Sequence, residues 1–443
     1  MKKLIVITGL MLITIPTSAM GADRLSLGYI YSSSISHSQI IENTKDSINV
    51  VSPTCFDLNL EGRLEINNLL DKEFIVEMHK KGIKVTPFLS NHWGQKRAQK
   101  MLDNPMPLIN ELVTAINEYN LDGVNVDIEN IEVSYKDKLT NFVKLLREAL
   151  GDEKTISVAV AANPKRLKAT WVASYDYKGL SEYSDYLVLM AYDEHSAGGA
   201  EGPVASIGFV KDSLDYMLET VSKDKVVLGM PLYGRFWKEG AEIGGEAIVI
   251  GAVEKLIKKY NLVPIFDTET KTAKLTIDID GITKNIYANG RYLDEGTYNI
   301  WYENESSIKA KLKLVNEYNI LGTALWALDS EGKEFWNYYN KYLNETEYET
   351  EKEIKIRQRL EAYAKIAKVK PIEIKAEIVL EKDRFLLNNK VKNNILSNIE
   401  NIRNYKYNVI EFIIKDKKEP LVKTEKFKIK GIINNWSRED EAA

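Results

Sequence analysis

The chain has 443 residues, 44% hydrophobic and 28% charged, with a formal net charge of −4. That length suits a barrel-sized unit plus one further module, and the composition can build a real core in an ordinary soluble protein. Charge is uneven, with roughly −10 on residues 23–344 and roughly +4 on residues 345–443, and an acidic main body excludes nucleic acid as a partner because phosphate binding needs a basic surface.

The N-terminus opens with Lys2 and Lys3, followed by an apolar run from Leu4 to Pro16 and small residues at Thr17-Ser18-Ala19 and Gly21-Ala22. This is the layout of a secretory signal peptide over residues 1–22, with cleavage after Ala19 or Gly21. The run is too short to cross a hydrocarbon core of roughly 30 Å as a permanent anchor. The mature protein is therefore expected to be secreted or associated with the cell envelope, with no membrane contact. Cys55 is the sole cysteine and forms no intramolecular disulfide, which fits an exported protein of bacterial type. In its apolar-leaning segment it reads as a buried small side chain.

From residue 25 onward, short strand-like runs alternate with longer helical ones. The strands are expected at 25–31, 48–56, 84–89, 123–128, 155–161, 186–191, 226–232 and 322–327. Amphipathic segments at 72–81, 106–119 and 136–150 lie between them; the last places Leu139, Phe142, Val143, Leu146 and Leu150 at three- and four-residue spacing. Eight such units over roughly 300 residues predict an α/β fold, a (β/α)8 TIM barrel. One long interruption, about 236–303, separates the seventh and eighth strands. It holds a helical stretch at 247–260, an alternating run at 273–279 and a turn at Asp280-Gly281, and reads as a small α+β insertion above the barrel mouth. The catalytic body is thus placed at 23–344. Beyond it, 345–353 is acidic and polar, 354–367 is helical in pattern, and alternating runs occur at 372–380, 409–414 and 426–433. Residues 345–443 read as a C-terminal α+β module with no legible motif.

The fourth strand carries the chemistry. It reads Asp122-Gly123-Val124-Asn125-Val126-Asp127-Ile128-Glu129-Asn130. Alternation puts Asn125, Asp127 and Glu129 on one face and Val124, Val126 and Ile128 on the other. Both faces of a barrel strand are covered, so three hydrophilic side chains must face the interior. Buried carboxylates cost several kcal/mol unless paired, and such a row is kept for a purpose.

The pattern Asp-Gly-x-x-x-Asp-x-Glu at this strand resembles the signature of glycoside hydrolase family 18, the chitinase and N-acetylglucosaminidase family. The resemblance covers residues 25–343. It implies that Glu129 is the general acid, that Asp127 orients the substrate's acetamido group, and that hydrolysis is retaining and substrate-assisted. Asp122 and Gly123 belong to the motif as structural support. Asn125 stands where the commonest family form has an acid; its amide is expected to hydrogen-bond Asp127 without sharing a proton. The Asn form is similar to the branch acting on bacterial cell-wall glycans, including spore cortex-lytic enzymes.

Other segments extend the resemblance. Met190-Ala191-Tyr192-Asp193 ends the sixth strand and implies that Tyr192 contacts the acetamido carbonyl and Asp193 the sugar hydroxyls, with Met190 in support. Trp326 on the eighth strand is implied to floor the sugar being cleaved. Gly229-Met-Pro-Leu-Tyr233-Gly-Arg235, taken as the end of the seventh strand, puts Tyr233 and Arg235 at the cleft. Trp301, in the run from 298 to 303, is a further candidate wall. His37, His79, His92 and His195 have no metal-binding spacing, and there is no phosphate loop or dinucleotide fingerprint, so neither metal nor cofactor is expected.

The expected activity is cleavage of β-1,4 linkages after N-acetylglucosamine in peptidoglycan. The rivals are a chitinase acting on chitin oligosaccharides and a non-catalytic chitinase-like glycan-binding protein. The partner is a polysaccharide, with cell-wall association through the C-terminal module.

Overall fold

The computed structural model describes residues 24–31, 35–282, 284–288 and 291–344, together with the backbone of two strands, Ile378–Glu381 and Arg384–Leu387. The expected signal segment lies outside the described residues. So do the expected tail elements at 354–367, 409–414 and 426–433, and the part of 372–380 before Ile378. The two tail strands pair antiparallel as a hairpin. Residue proximity divides the chain into two compact units, Met1–Thr346 and Glu347–Ala443.

In the first unit, seven strand segments follow one another: β1 (Leu25–Ile30), β2 (Val50–Pro53 and Phe56–Leu58), β3 (Lys84–Val85 and Phe88–Ser90), β4 (Gly123–Asp127), β5 (Thr155–Ala161), β6 (Tyr186–Met190) and β7 (Val226–Pro231). The break in β3 falls at Thr86-Pro87, where proline has no N–H to give to a ladder. Each segment pairs parallel with the next along the chain. A later strand at Gly322–Trp326 pairs parallel with both β7 and β1. With Leu64–Ile66 added antiparallel to Phe56–Leu58, the result is a curled, mainly parallel sheet with helices between its strands, a TIM-like α/β fold.

Alternation along the strands sorts side chains into two buried layers. Val124, Val126 and Ile128 of β4 join Ile156, Val158 and Val160 of β5 against the helices. Helix Lys136–Leu150 contributes Leu139, Phe142, Val143 and Leu146 to that layer, the stripe its spacing predicts. The opposite face holds a second cluster of Leu27, Tyr29, Val50, Phe88, Tyr186, Val188, Val227 and Ala324. Each fully buried Leu, Val or Phe contributes roughly 1.5–3 kcal/mol. Gly123 is needed at the start of β4 because a Cβ there would sit 1.8 Å from the Thr155 carbonyl oxygen of β5.

Between β7 and the Gly322–Trp326 strand lies a separate antiparallel sheet: β8 (Tyr233–Lys238), β9 (Glu246–Val249), β10 (Ile265–Asp267), β11 (Thr272–Ile279) and β12 (Gly296–Tyr302). Helix Ile250–Tyr260 closes over it, and Phe236, Leu275, Ile277 and Ile300 form its core. The helix ends at Asn261 in the left-handed conformation (φ 50°), a common helix stop. This corrects one boundary. Tyr233-Gly234-Arg235 does not end the seventh strand; β7 stops at Pro231 and these residues start the first strand of the inserted sheet. No charged residue interrupts 226–234, so nothing local marks the change of sheet. We label the closing strand Gly322–Trp326 β13.

Candidate active site

Asn125 and Asp127 lie on the inward face of β4 and are 0% and 6% exposed, with Glu129 two residues on, just past the carboxyl end of the strand. Burial raises the pKa of Asp127 well above the ordinary carboxylate range. Burial also raises Glu129, and the negative charges of Asp127 and then Asp193 push it further in the same direction. Asp127 Oδ1 is buried and has no hydrogen-bond partner among the described residues.

Asn125 does not hydrogen-bond Asp127 as expected from the sequence. Its Oδ1 accepts from the Tyr29 hydroxyl at 3.1 Å and its Nδ2 donates to Ser157 Oγ at 2.7 Å. The reason is geometric: parallel pairing sets Asn125 directly across from Ser157 on β5, while Asp127 is two residues along its own strand. Both polar atoms of the amide are thus engaged by neighbouring strands.

The backbone beside Glu129 is held from two sides. Asn91, 0% exposed and just after β3, accepts from the Glu129 N–H at 2.9 Å and donates to the Glu129 carbonyl at 2.8 Å. The Tyr175 hydroxyl donates to the Ile128 carbonyl at 3.0 Å. Neither Asn91 nor Tyr175 was singled out from the sequence. The polar and aromatic run Ser90-Asn-His-Trp-Gly94 after a predicted strand was the available signal for the first.

Tyr192 and Asp193 follow β6. The Tyr192 ring lies 6.3 Å from that of Tyr233 in an edge-on contact, and burial raises its hydroxyl pKa. Asp193 adopts a left-handed backbone (φ 58°). Its Oδ1 accepts from Arg235 Nε at 2.9 Å and the Tyr233 hydroxyl at 2.6 Å, and its Oδ2 accepts from Arg235 Nη2 at 2.9 Å. The fork-shaped guanidinium on a carboxylate fixes both groups. Arg235 also donates to the Gly245 carbonyl at 2.7 Å. Asp193, Tyr233 and Arg235 thus form one cluster joining the β6 loop to the inserted sheet.

Trp326, at the end of β13, packs within 5.3 Å of Tyr29, 5.5 Å of Tyr31 and 5.8 Å of Phe88, and its peptide bond to Ala327 is cis. Tyr29 therefore touches both Trp326 and Asn125. Met190 ends β6 and is partly buried against the core. Trp301 lies on β12 opposite Arg235, but its indole N–H is taken by Glu201 Oε1 at 2.9 Å, and Lys274 sits 5.2 Å from its ring centre. Asp122 is at the other end of β4, where its Oδ2 accepts from the Val85 N–H at 2.7 Å and contacts His79 at 2.9 Å. Two exposed-side aromatics escaped the sequence reading. Trp93, 52% exposed, meets Trp171 edge-on at 4.8 Å, and Trp171 meets Tyr175 at 6.2 Å. They form a strip leading from the β3 loop to the residue that braces Ile128.

Among the described residues no group of three or more His, Cys, Asp or Glu side chains is arranged to hold a metal ion, and no helix is long and apolar enough to cross a membrane. Cys55 is buried, and its thiol is pushed up to about 12 by burial and then by Asp57.

Two buried carboxyl groups with raised pKa values, at the carboxyl end of a strand in a curled sheet, form an arrangement suited to acid–base chemistry. Glycosyl hydrolases family 18 matches residues 30–331, and the chain belongs to that family. It is 27% identical over 277 residues to the uncharacterized glycosylase YvbX of Bacillus subtilis, covering 59% of this chain and 76% of that one. The cortical fragment-lytic enzyme of Bacillus subtilis is 25% identical over 232 residues, 52% of this chain and 51% of the relative. The chain thus spans about half the length of that relative. Among solved structures, a chitinase from Chromobacterium violaceum superposes with a TM-score of 0.64 at 25% identity, covering 73% of this chain and 99% of that one.

Proposed function

We propose that the protein is a secreted β-N-acetylglucosaminidase that cleaves β-1,4 linkages after N-acetylglucosamine in peptidoglycan, by retaining, substrate-assisted catalysis. In this reading the parallel pairings that run from β1 through β7 and β13 back to β1 form a closed (β/α)8 barrel, β8–β12 stand as its insertion, residues 1–22 direct export, and residues 345–443 serve wall association.

The observation that carries the reading is the pair of buried carboxyl groups at the carboxyl end of β4. Glu129, protonated well above the ordinary carboxylate range, donates to the leaving oxygen. Asp127 supplies the unpartnered Oδ1 to the acetamido N–H and stabilises the oxazolinium that forms when the acetamido oxygen attacks the anomeric carbon. The bond from that carbon to the leaving oxygen breaks as the new bond forms. Ionised Glu129 then takes a proton from water, which opens the oxazolinium and returns the enzyme to its starting state. Trp326 lies under the reacting sugar, where an indole face suits both its C–H face and the developing positive charge.

Peptidoglycan is favoured over chitin by Asn125 and by similarity to the cortical fragment-lytic enzyme. The test is to incubate purified protein with peptidoglycan and with chitin oligomers and to read the new reducing ends by mass spectrometry. Fragments ending in reducing N-acetylglucosamine from peptidoglycan are the expected result. Cleavage confined to chitin oligomers would overturn the substrate, and no cleavage of either would overturn the activity.

A further inference from the structure

We infer that Asn91 is a positioning residue: it clamps the peptide that carries Glu129 and, through the loop it begins, couples the acid to the aromatic strip at Trp93. The inference rests on the acid role proposed for Glu129.

Glu129 is two residues past the described end of β4, where ladder hydrogen bonds no longer fix the backbone. Asn91 replaces them. Its side-chain amide matches a backbone amide in shape, one acceptor and one donor, and it satisfies both the N–H and the C=O of Glu129. A side chain with a single polar atom meets only one of those groups. Asn91 is fully buried, so water does not compete for either bond.

The same two loops are stitched again further out. Asn130 Nδ2 donates to the Trp93 carbonyl at 3.1 Å, and Gln95 Nε2 donates to the Asn130 carbonyl at 3.2 Å. Four hydrogen bonds thus tie residues 91–95 to residues 129–130. His92, Trp93 and Asn130 all have left-handed backbones, with φ of 44°, 60° and 57°. For a bulky residue such as Trp93 this conformation is uncommon and persists only when its surroundings hold it. A shift of the acid therefore carries the indole with it.

The experiment compares Asn91→Ala and Asn91→Asp with wild type and Glu129→Gln on two substrates. One is a chitooligosaccharide, whose sugar leaving group needs protonation. The other is its 4-nitrophenyl glycoside, whose aryl leaving group needs little. Loss of position by ~1 Å lowers kcat on the oligosaccharide by about 100-fold, with a much smaller loss on the aryl glycoside and little change in KM. Asn91→Asp retains the acceptor for the Glu129 N–H and loses the donor, so its oligosaccharide rate is expected to exceed that of Asn91→Ala. Because Asn91 is buried, Asn130→Gly gives a second reading: glycine keeps the left-handed backbone but deletes the bond to Trp93, and raises KM for long substrates more than for short ones.

A loss of rate in Asn91→Ala that is equal on both substrates overturns the positioning role and leaves Asn91 a stability residue. Wild-type rates in that variant overturn it too. Wild type that hydrolyses neither substrate, or Glu129→Gln that matches wild type on the oligosaccharide, overturns the proposed acid instead, so the two failures are told apart.

Discussion

Glu129 is held in its protonated form by burial, by Asp127 and by Asp193, and this has a cost in stability whose sign can be worked out. Between the ordinary carboxylate pKa and the raised native value, the unfolded chain has released its proton while the native state keeps it. The native state binds more protons there, so stability falls as pH rises through that window and is recovered below it. Glu129→Gln removes the titration. It is expected to lower kcat at least ~100-fold, the size of a general-acid contribution. It should also stabilise the fold at pH 8, where the wild-type native state holds a proton that the unfolded chain has released. Thermal unfolding at pH 8 and pH 4 checks this: the gain should be present at the first and nearly vanish at the second. A variant less stable than wild type at both would contradict the account. Wild-type kcat should in turn hold into the alkaline range before the acid limb is lost. At this scale the sequence was informative about which residues lie on β4 and silent about their partners. Alternation places Asn125 and Asp127 on one face, but only strand register reveals that Asn125 faces Ser157 and not Asp127. Register between strands is set by long-range pairing that no local pattern encodes.

At the scale of elements, β4 and β5 must approach closely for the acid row to be presented at all. A Cβ at position 123 would lie 1.8 Å from the Thr155 oxygen and 2.6 Å from its carbonyl carbon, both backbone atoms that cannot swing aside. Gly123→Ala is therefore expected to cost at least ~3 kcal/mol, as strain at a backbone site typically does, and to lower Tm by about 6 °C or more. Gly208 in helix Ile207–Leu218 is the control, since nothing lies within 4 Å of its added Cβ. There alanine should be neutral or stabilising by up to ~1 kcal/mol. Equal effects of the two substitutions in calorimetry would show that close approach at Gly123 does not matter. Elements of regular period were the legible ones: in helix 136–150 four of the five residues of the predicted stripe are buried, and Leu150 at its end is partly so. The seventh strand was misjudged at its end because β7 and β8 are separated by Leu232 alone and no charge falls before Arg235. Hydrophobicity reports burial, and burial does not distinguish two sheets that meet.

At the scale of the molecule, the first unit is latched where its chain enters and leaves. The Arg24 N–H donates to Asn344 Oδ1 at 2.9 Å, and its guanidinium reaches Asn316 Oδ1 at 2.9 Å and Asn319 Oδ1 at 3.1 Å. Tyr339 of helix Phe335–Asn344, fully buried, shares hydrogen bonds with Ser26 of β1 at 2.7 Å and Thr323 of β13 at 2.6 Å. Within the insertion, Glu201 accepts from Trp301, Lys274 at 2.7 Å and Asn299 at 3.0 Å, fastening the β6 loop to β11 and β12. All of these ties lie inside residues 24–344, and the family match ends at residue 331. A protein cut after Thr346 keeps every one of them. It is expected to unfold in a single cooperative transition at a Tm within about 3 °C of the full chain, a difference of roughly 1 kcal/mol for a unit of this size. It should also hydrolyse soluble oligosaccharides at an unchanged kcat. If residues 345–443 serve the wall, the cut protein should lose sedimentation with insoluble peptidoglycan while its rate on soluble substrate stands. A loss of soluble activity would instead place the tail within the catalytic unit.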